Sequence, residues 1–245
     1  MSRIYAVGIG PGDPELLTRK TERIIRSVPV VCAPTGATEA ASYALSVVEH
    51  LLDRSRQEVL VQVFPMTRDG AELEAAWQEA AAMVLARVRE GREVAFITLG
   101  DPFLYSTFLY LHRFVREWAP EVPVEIIPGV SSITAAAAAA GIPLGQGSER
   151  LAILPSAYTD DELRGYLRDF DTVVLLKVAR MFDRVYGILR ELGLERNAVF
   201  VRRVGSAVEE VVFDLNRLVG KDLDYLSLLI IRKDSEGFAP AKEVS

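Results

Sequence analysis

The stretch Val7-Gly8-Ile9-Gly10-Pro11-Gly12-Asp13-Pro14 leaves an apolar, strand-like run and leads into a helical segment. A second Gly-Asp-Pro, Gly100-Asp101-Pro102, follows another strand-like run in the same way. Taken alone, each motif indicates a tight turn whose aspartate caps the next helix. Two such turns at strand ends also indicate a shared ligand edge, because ligands collect at the carboxyl ends of strands in open α/β sheets.

The Gly-x-Gly-x-Gly spacing of the first motif also allows a dinucleotide-binding loop. Such a loop holds a pyrophosphate on free backbone N–H groups at the start of a helix, and Pro11 removes one of those groups. It also needs an acidic residue near the end of the second strand, where this chain has Cys32-Ala33-Pro34. A NAD-binding oxidoreductase is therefore a disfavoured alternative.

Short runs rich in Val and Ile alternate with longer amphipathic stretches along the chain, which predicts an α/β fold with largely parallel sheets. The strand-like runs are Ile4–Ile9, Val28–Ala33, Glu58–Phe64, Glu93–Leu99, Val122–Ile127, Leu151–Pro155, Thr172–Lys177, Ala198–Val204, Glu209–Phe213 and Ser227–Ile231. Helical patterns are clearest at Ala71–Glu90 and Phe103–Trp118. Consecutive runs around 198–213 predict antiparallel pairing, and hence a mixed sheet in the second half.

Two domains of roughly 120 residues each would suit this length. Prolines and a glycine mark the junction near Pro120–Gly129, and we place the domains at 1–123 and 124–245. The Val122–Ile127 run is then either a linker or the last strand of the first half. The segment after Lys233 has the composition of a frayed tail.

Composition and charge exclude several classes of function. A net charge of −6 argues against nucleic acid as the main partner, although a local cationic cluster can still bind an acidic small molecule. Cys32 is the single cysteine and the two histidines are far apart, so we predict no disulfide and no metal site. The N-terminus lacks a signal-peptide pattern, and the apolar stretch Ile133–Leu144 is too short to span a bilayer, which predicts a cytoplasmic protein without a membrane partner.

Two further segments carry polar groups at predicted strand ends. Ser131 and Ser132 follow Ile127-Pro128-Gly129 and precede an alanine run, where they could simply cap a helix. The alanines would let a ligand or another backbone approach closely. Lys177 and Arg180 emerge after the apolar run at Thr172, which could be no more than a solvated strand end.

Taken together and in this order, these segments resemble the tetrapyrrole methylases, the class III S-adenosylmethionine-dependent methyltransferases. The resemblance runs from Ile4 to about Lys233. It implies two α/β domains with the cofactor in the cleft between them, and a homodimer. Within the family, Tyr105-Ser106-Thr107 after Gly-Asp-Pro, Gly141-Ile142-Pro143-Leu144 and Leu176-Lys177-Val178-Ala179-Arg180 most resemble the C20-methyltransferases that act on precorrin-2 or cobalt-factor II in cobalamin biosynthesis.

The resemblance also assigns site residues. The implied cofactor contacts are Pro11, Gly100, Asp101, Leu104, Ser106, Thr107, Ser131, Ser132, Lys177 and Val178, together with Val204 and Leu228. The Gly8–Asp13 loop would line the tetrapyrrole through Gly10, Gly12 and Asp13. The substrate's carboxylates require cations, for which Arg150 and Arg180 are candidates beside Arg68, Arg202 and Arg203, each of which could also be an ordinary surface arginine. Asp101 either caps a helix or uses its charge to hold the cationic donor.

The sulfonium methyl is already activated, so in-line positioning is the main task and is worth roughly 7–11 kcal/mol. C20 must then lose a proton, for which Tyr105, water or the macrocycle itself is the candidate base. The remaining alternatives are a sister methylase acting on another ring carbon or on a protein side chain, as diphthine synthase does, and a non-catalytic tetrapyrrole carrier. The sequence leaves open whether the substrate contains cobalt.

Overall fold

The computed structural model describes residues 2–36, 40–65, 67, 69–155 and 158–233. The chain forms two compact units, the first ending at Ser131 and the second beginning at Ser132. Each unit contains a five-stranded sheet with helices, which confirms the predicted α/β class. Across the described residues, every helix is too short or too polar to cross a bilayer.

The first unit is built on a sheet whose strands lie in the order β3-β2-β4-β1-β5, and all four neighbouring pairs are parallel. Its elements are β1 (Ile4–Gly8), α1 (Arg19–Ser27), β2 (Val30–Gly36), α2 (Ala40–Val48), β3 (Glu58–Phe64), α3 (Gly70–Arg89), β4 (Val94–Thr98), α4 (Phe108–Trp118) and β5 (Val124–Ile127). Residues directly opposite in the register include Ile4, Val94 and Val124.

Helices cover both faces of this first sheet. On one face, α1 and α2 bury Ile24, Ile25 and Val47 against the strands. On the other face, α3 and α4 bury side chains such as Val84 and Phe108. The neighbouring strands β1 and β4 therefore send their chains to opposite faces, α1 on one and α4 on the other. In α/β sheets such a divergence opens a crevice at the carboxyl ends of the two strands.

The second unit is built on a mixed sheet with strand order β6-β7-β10-β8-β9. Its elements are α5 (Ser132–Ala140), β6 (Leu151–Leu154), α6 (Asp160–Asp169), β7 (Thr172–Leu176), α7 (Phe182–Glu191), β8 (Ala198–Arg202), β9 (Glu210–Val212) and β10 (Ser227–Arg232). Among the described strands, β6 and β7 pair in parallel and the other three pairs are antiparallel, which confirms the predicted mixed sheet. The pair β8–β9 is the one that the consecutive runs around 198–213 predict. The alanine helix α5 packs against β8 and β10, with Ala136 fully buried.

The structure corrects two boundaries. A domain boundary between 123 and 124 would detach β5 from β1, its hydrogen-bonded partner, so the run at Val122 contributes the last strand of the first sheet and is not a linker. The helix predicted from Phe103 begins only at Phe108. The reason is Tyr105, whose φ of 51° lies in the left-handed region, which a right-handed helix cannot contain.

Three backbone segments at the carboxyl edge of the first sheet meet at glycines. A Cβ atom added to Gly129 would lie 2.2 Å from the carbonyl oxygen of Gly100. A Cβ atom on Gly8 would lie 2.6 Å from that same oxygen and 2.6 Å from the amide nitrogen of Gly129. The segments after β1, β4 and β5 are thus packed backbone against backbone, and no larger residue fits at Gly8 or Gly129.

We expect Gly129→Ala to destabilise the protein by about 1–3 kcal/mol or more, because a carbonyl and not a flexible side chain must move to make room. The matched control is Gly187→Ala in the middle of α7, where an added Cβ meets nothing within 4 Å. That change should leave stability unchanged or raise it by up to about 1 kcal/mol, since alanine favours helix over glycine. Urea and thermal unfolding of the two variants measure the difference, and equal stability would contradict the close approach.

Candidate active site

The loops after β1 and β4 run side by side at the crevice of the first unit. The Gly100 N–H donates to the Gly10 carbonyl at 2.7 Å, and the Ile9 N–H donates to the Thr98 carbonyl at 2.9 Å. Gly10 and Gly100 both have positive φ, 73° and 69°, a conformation that glycine adopts without strain, and this allows the two loops to turn here. Both Gly-Asp-Pro motifs therefore belong to one edge, as their positions after strands predict.

Asp101 joins two of these loops. Its Oδ1 accepts a hydrogen bond from the Phe103 N–H at 2.8 Å, and its Oδ2 accepts one from the Gly129 N–H at 3.2 Å. The first bond closes the turn after β4, and the second ties that turn to the segment that follows β5. Asp101 is therefore more than a local cap, because its two oxygens serve two separate parts of the chain.

The first loop is a rigid wall of this edge. Gly10, Pro11 and Gly12 are buried, so each offers little surface to a ligand. Asp13 is half-buried, and its Oδ1 accepts from the Glu15 N–H at 2.8 Å, which makes it the cap of the 3-10 turn that follows. Thr21 of α1 donates its hydroxyl to the Gly8 carbonyl at 3.0 Å and so anchors the helix to the end of β1.

The segment before α4 combines a buried anchor with exposed apolar side chains. Ser106 is 6 % exposed, its Oγ lies 3.0 Å from Thr98 Oγ1, and it accepts from the Phe108 N–H at 3.1 Å. Thr107 is half-buried beside it. Leu104 and Tyr105, by contrast, are exposed, Tyr105 by 46 %. A left-handed φ at a tyrosine costs roughly 1–2 kcal/mol, and such strain concentrates at functional sites.

Two polar side chains of the first unit, Cys32 and His112, have pKa values that burial shifts. Burial raises the pKa of the Cys32 thiol to about 12, so this side chain is an inert core group. The ring of His112 lies 5.9 Å from that of Phe103 and 5.6 Å from that of Phe108. Burial, with a contribution from the charge of Arg116, lowers the pKa of His112.

The remaining predicted serines lie at the point where the two units divide. Ser131 is the last residue of the first unit and follows Gly129, whose backbone packs against Gly8 and Gly100. Ser132 is the first residue of α5 in the second unit. Both serines are half-buried, which leaves part of each residue accessible.

In the second unit, the carboxyl ends of β7 and β8 flank the start of the antiparallel strand β10. Lys177 follows β7 with φ 54°, and Arg203 follows β8 with φ 45°, both in the left-handed region. The Lys177 N–H donates to the Ser227 carbonyl at 3.0 Å, and the Arg203 N–H donates to the Leu226 carbonyl at 2.8 Å. Two strained non-glycine residues, one on each side of β10, make this edge a second candidate ligand surface.

Three predicted cofactor contacts on this side are buried by the protein itself. Val178 has no exposed surface, so it cannot touch a ligand without a rearrangement of the chain. Leu228 and Val204 are 3 % and 8 % exposed and offer only small areas. The resemblance implies that these residues contact the cofactor, whereas the structure places their side chains beneath the protein surface.

The structure also sorts the candidate cations. Arg150 precedes β6, which runs parallel to β7, so it lies at the opposite edge of the sheet from Lys177 and is not part of this surface. There its Nε lies 3.9 Å from Asp171 Oδ2. Arg202 and Arg203 are at the correct edge, but Arg202 pairs with Glu210 and Arg203 with Asp224. Arg68 lies outside the described residues.

Arg180 and Lys177 differ from these paired arginines. Both are exposed, and among the described residues no carboxylate lies within 4.0 Å of either cation. Burial alone would raise the pKa of Asp224, but the hydrogen bonds from Arg203 and from the Leu226 N–H, with the charges of Arg203 and Arg202, outweigh it and lower that pKa. Asp224 is therefore a fixed anion. Of the described candidate cations, Arg180 and Lys177 are the two whose charge no carboxylate of the described chain compensates.

Comparison with known proteins shows which family this sequence and fold match. The family model for Tetrapyrrole (Corrin/Porphyrin) Methylases matches residues 3–218. The chain belongs to this family. It is 36 % identical over 237 residues to the cobalt-precorrin-2 C(20)-methyltransferase of Salmonella typhimurium, covering 96 % of this chain and 98 % of that protein. It is 32 % identical over 239 residues to the precorrin-2 C(20)-methyltransferase of a Sinorhizobium species, covering 94 % of this chain and 95 % of that protein.

Solved structures of tetrapyrrole methylases share the fold. The uroporphyrin-III C-methyltransferase of Thermus thermophilus, solved in complex with S-adenosylhomocysteine, superposes with a TM-score of 0.68 at 24 % identity. The alignment covers 95 % of this chain and 98 % of that chain. At this level of identity the likeness concerns the architecture alone.

Sequence reasoning missed two kinds of residue in this tetrapyrrole methylase. Gly129 lies in the quoted Pro-Gly turn, but the need for glycine there comes from Gly8 and Gly100, which are distant in sequence. Asp224 and Tyr225 lie in a polar connection before β10 with no motif or periodicity around them, and only the fold brings them beside Arg203 and Lys177.

We predict that Asp101→Asn costs about 1–3 kcal/mol of stability or of cofactor binding, because the asparagine amide would face the Gly129 N–H, donor against donor. The matched control is Asp69→Asn at the start of α3. There a single oxygen, Oδ1, accepts from both Ala71 and Glu72, and asparagine keeps such an oxygen. Melting temperature and S-adenosylhomocysteine affinity measure the effect. Equally small changes in both variants would reduce Asp101 to an ordinary cap.

Proposed function

We propose that this chain transfers a methyl group from S-adenosylmethionine to C20 of precorrin-2 or its cobalt complex in cobalamin biosynthesis. The observation that carries the proposal is the match with C20-methyltransferases, which extends over both units and covers 98 % and 95 % of the two relatives' own lengths. Membership in the tetrapyrrole methylases supports S-adenosylmethionine as the donor and a tetrapyrrole as the acceptor.

The residues of the first unit suit a bound nucleoside-containing donor. At the junction of Gly8, Gly100 and Gly129 the segments are packed backbone against backbone, which gives this edge a fixed outline for a ligand to bind against. We propose that Gly100, Asp101, Leu104, Thr107 and Ser131 line this part of the site. Ser106 supports them from below through its bond to the Phe108 N–H. The first loop, Gly10 to Asp13, would border the macrocycle.

The chemistry requires little of the protein beyond geometry. S-adenosylmethionine supplies an activated methyl group on a sulfonium when it is bound. The chain's residues must then hold the acceptor carbon in line and exclude water, and positioning of this kind is worth roughly 7–11 kcal/mol. Tyr105, exposed at the end of the strained turn, is our candidate to accept the C20 proton, with water or the macrocycle itself as the alternative acceptors.

The carboxylates of the tetrapyrrole would meet the cations of the second unit. We propose Arg180 and Lys177 for this role, because their charges are not compensated by a carboxylate of the described chain. Arg202 and Arg203 would contribute through the shape of the edge, since Glu210 and Asp224 already neutralise them.

We further propose that the protein is a cytoplasmic homodimer. The dimer is supported by family membership and by exposed apolar side chains on and before α4, among them Phe103, Leu109 and Tyr110. Pairing of two copies through these side chains would remove apolar surface from water, and exposed apolar patches commonly mark protein–protein interfaces.

The decisive test is methyl transfer to a panel of tetrapyrroles, with the methyl position in the product located by NMR. We expect one new methyl group at C20 of precorrin-2 or cobalt-factor II, and the preferred acceptor reports whether cobalt is required. Methylation at another ring carbon would identify a sister activity. Binding without turnover would identify a carrier.

The control for that test uses ligand-induced thermal stabilisation of the protein. S-adenosylhomocysteine at 100 times its dissociation constant should stabilise the folded chain by about 2.7 kcal/mol, as any ligand selective for the native state does. NAD should have no comparable effect. The reverse result would favour the oxidoreductase.

We expect light scattering at micromolar concentration to give twice the monomer mass of 27.0 kDa. Phe103→Ser and Tyr110→Ser should shift the distribution towards monomer if the apolar surface before and on α4 forms the interface, because each removes exposed aromatic area. A monomeric wild-type protein would contradict the dimer without affecting the proposed chemistry.

A further inference from the structure

Tyr225 is an exposed aromatic residue at the ligand edge of the second unit, immediately before β10. The residue is 42 % exposed, and the ammonium group of Lys177 lies 5.4 Å from the centre of its ring. This separation is within the range in which a cation is attracted to an aromatic face. Tyr225 was not among the residues that the sequence or the family resemblance singled out.

The backbone on both sides of Tyr225 is fixed. Asp224 pairs through Oδ2 with the Arg203 guanidinium and through Oδ1 with the Leu226 N–H, the latter at 2.8 Å. The Leu226 carbonyl in turn accepts from the Arg203 N–H at 2.8 Å. The contacts among Arg203, Asp224 and Leu226 therefore fix the backbone on both sides of Tyr225. They also fix the Cα position from which the tyrosine side chain extends.

The way in which Lys177 is held matters for its charge. Arg202 and Arg203 are held by carboxylates, which orient them and also neutralise them. Lys177 has no carboxylate within 4.0 Å among the described residues and is held instead by an uncharged ring. An aromatic face restricts the direction of an ammonium group without compensating its charge, so that the full positive charge and its N–H donors stay available.

We propose that Tyr225 is a positioning residue that holds the Lys177 ammonium group for a carboxylate of a bound ligand. This inference rests on the proposed function, because the ligands of a tetrapyrrole methylase offer that carboxylate from two sources. One is the amino-acid carboxylate of the cofactor, and the other is an acid side chain of the tetrapyrrole.

The test measures the affinity of the full chain for S-adenosylhomocysteine in one arm and for cobalt-factor II in the other. Tyr225→Leu removes the aromatic face and should weaken binding about two- to fivefold. Lys177→Met removes the charge and should weaken the same ligand about tenfold or more. Tyr225→Phe keeps the face and should restore most of the lost affinity. Lys221→Met, another exposed lysine of this unit, is the matched control and should change nothing.

A double-mutant cycle separates positioning from direct contact. If Tyr225 acts through Lys177, the variant that carries both Tyr225→Leu and Lys177→Met binds as weakly as Lys177→Met alone, within a factor of two. The arm that shows the loss identifies the source of the carboxylate. Melting temperatures close to that of the wild type in all variants establish that the fold is intact.

Two results would overturn the inference and spare the proposed function: wild-type affinity of Tyr225→Leu for both ligands, or losses that simply add in the double variant. A wild-type protein that binds neither ligand would remove the proposed function, and this inference falls with it.

Discussion

The close approach of three backbone segments at Gly8, Gly100 and Gly129 is the constraint on which the first unit depends. The Gly100 carbonyl occupies the space in which a Cβ of either other glycine would lie, so the strand ends can only meet where side chains are missing. Because the loops after β1 and β4 are locked there and then diverge to opposite faces, the crevice is set by the chain itself before any ligand arrives. Asp101 reinforces the same junction from its side.

The second unit builds its edge by a different means, in which strain and charge replace close packing. Lys177 and Arg203 hold left-handed conformations that cost roughly 1–2 kcal/mol each, and neighbouring hydrogen bonds to the start of β10 stabilise them there. Asp224 fixes Arg203, and the ring of Tyr225 faces Lys177. The edge therefore keeps a rigid outline while Lys177, among the described residues, has no carboxylate partner. A surface for an anionic ligand needs both properties.

The sequence predicts the strands well because burial on both faces makes them continuous apolar runs, as in Thr172–Leu176, and these runs need no knowledge of the fold. It fails where the backbone conformation of one residue, or pairing with a distant segment, overrules a local pattern. The start of α4 is displaced by the left-handed turn at Tyr105, and β5 belongs to the first sheet through its pairing with β1. The site is predicted in outline by its motifs, but spacing alone could not show that Val178 is buried or that Arg150 lies at the far edge.

The packing of the first loop explains why Pro11 is acceptable in a segment whose glycine spacing also allows a dinucleotide-binding loop. A pyrophosphate site depends on free N–H groups at a helix start, and Pro11 would weaken it. Here the first loop instead forms hydrogen bonds with neighbouring segments, as in the bond from the Gly100 N–H to the Gly10 carbonyl, and Pro11 is buried within the loop. A rigid wall of this kind serves a reaction whose donor is already activated, since the barrier then depends on where the acceptor carbon is held. The missing N–H group of Pro11 therefore does not weaken this wall. A side chain at Gly129, in contrast, would displace the backbone segments that form it.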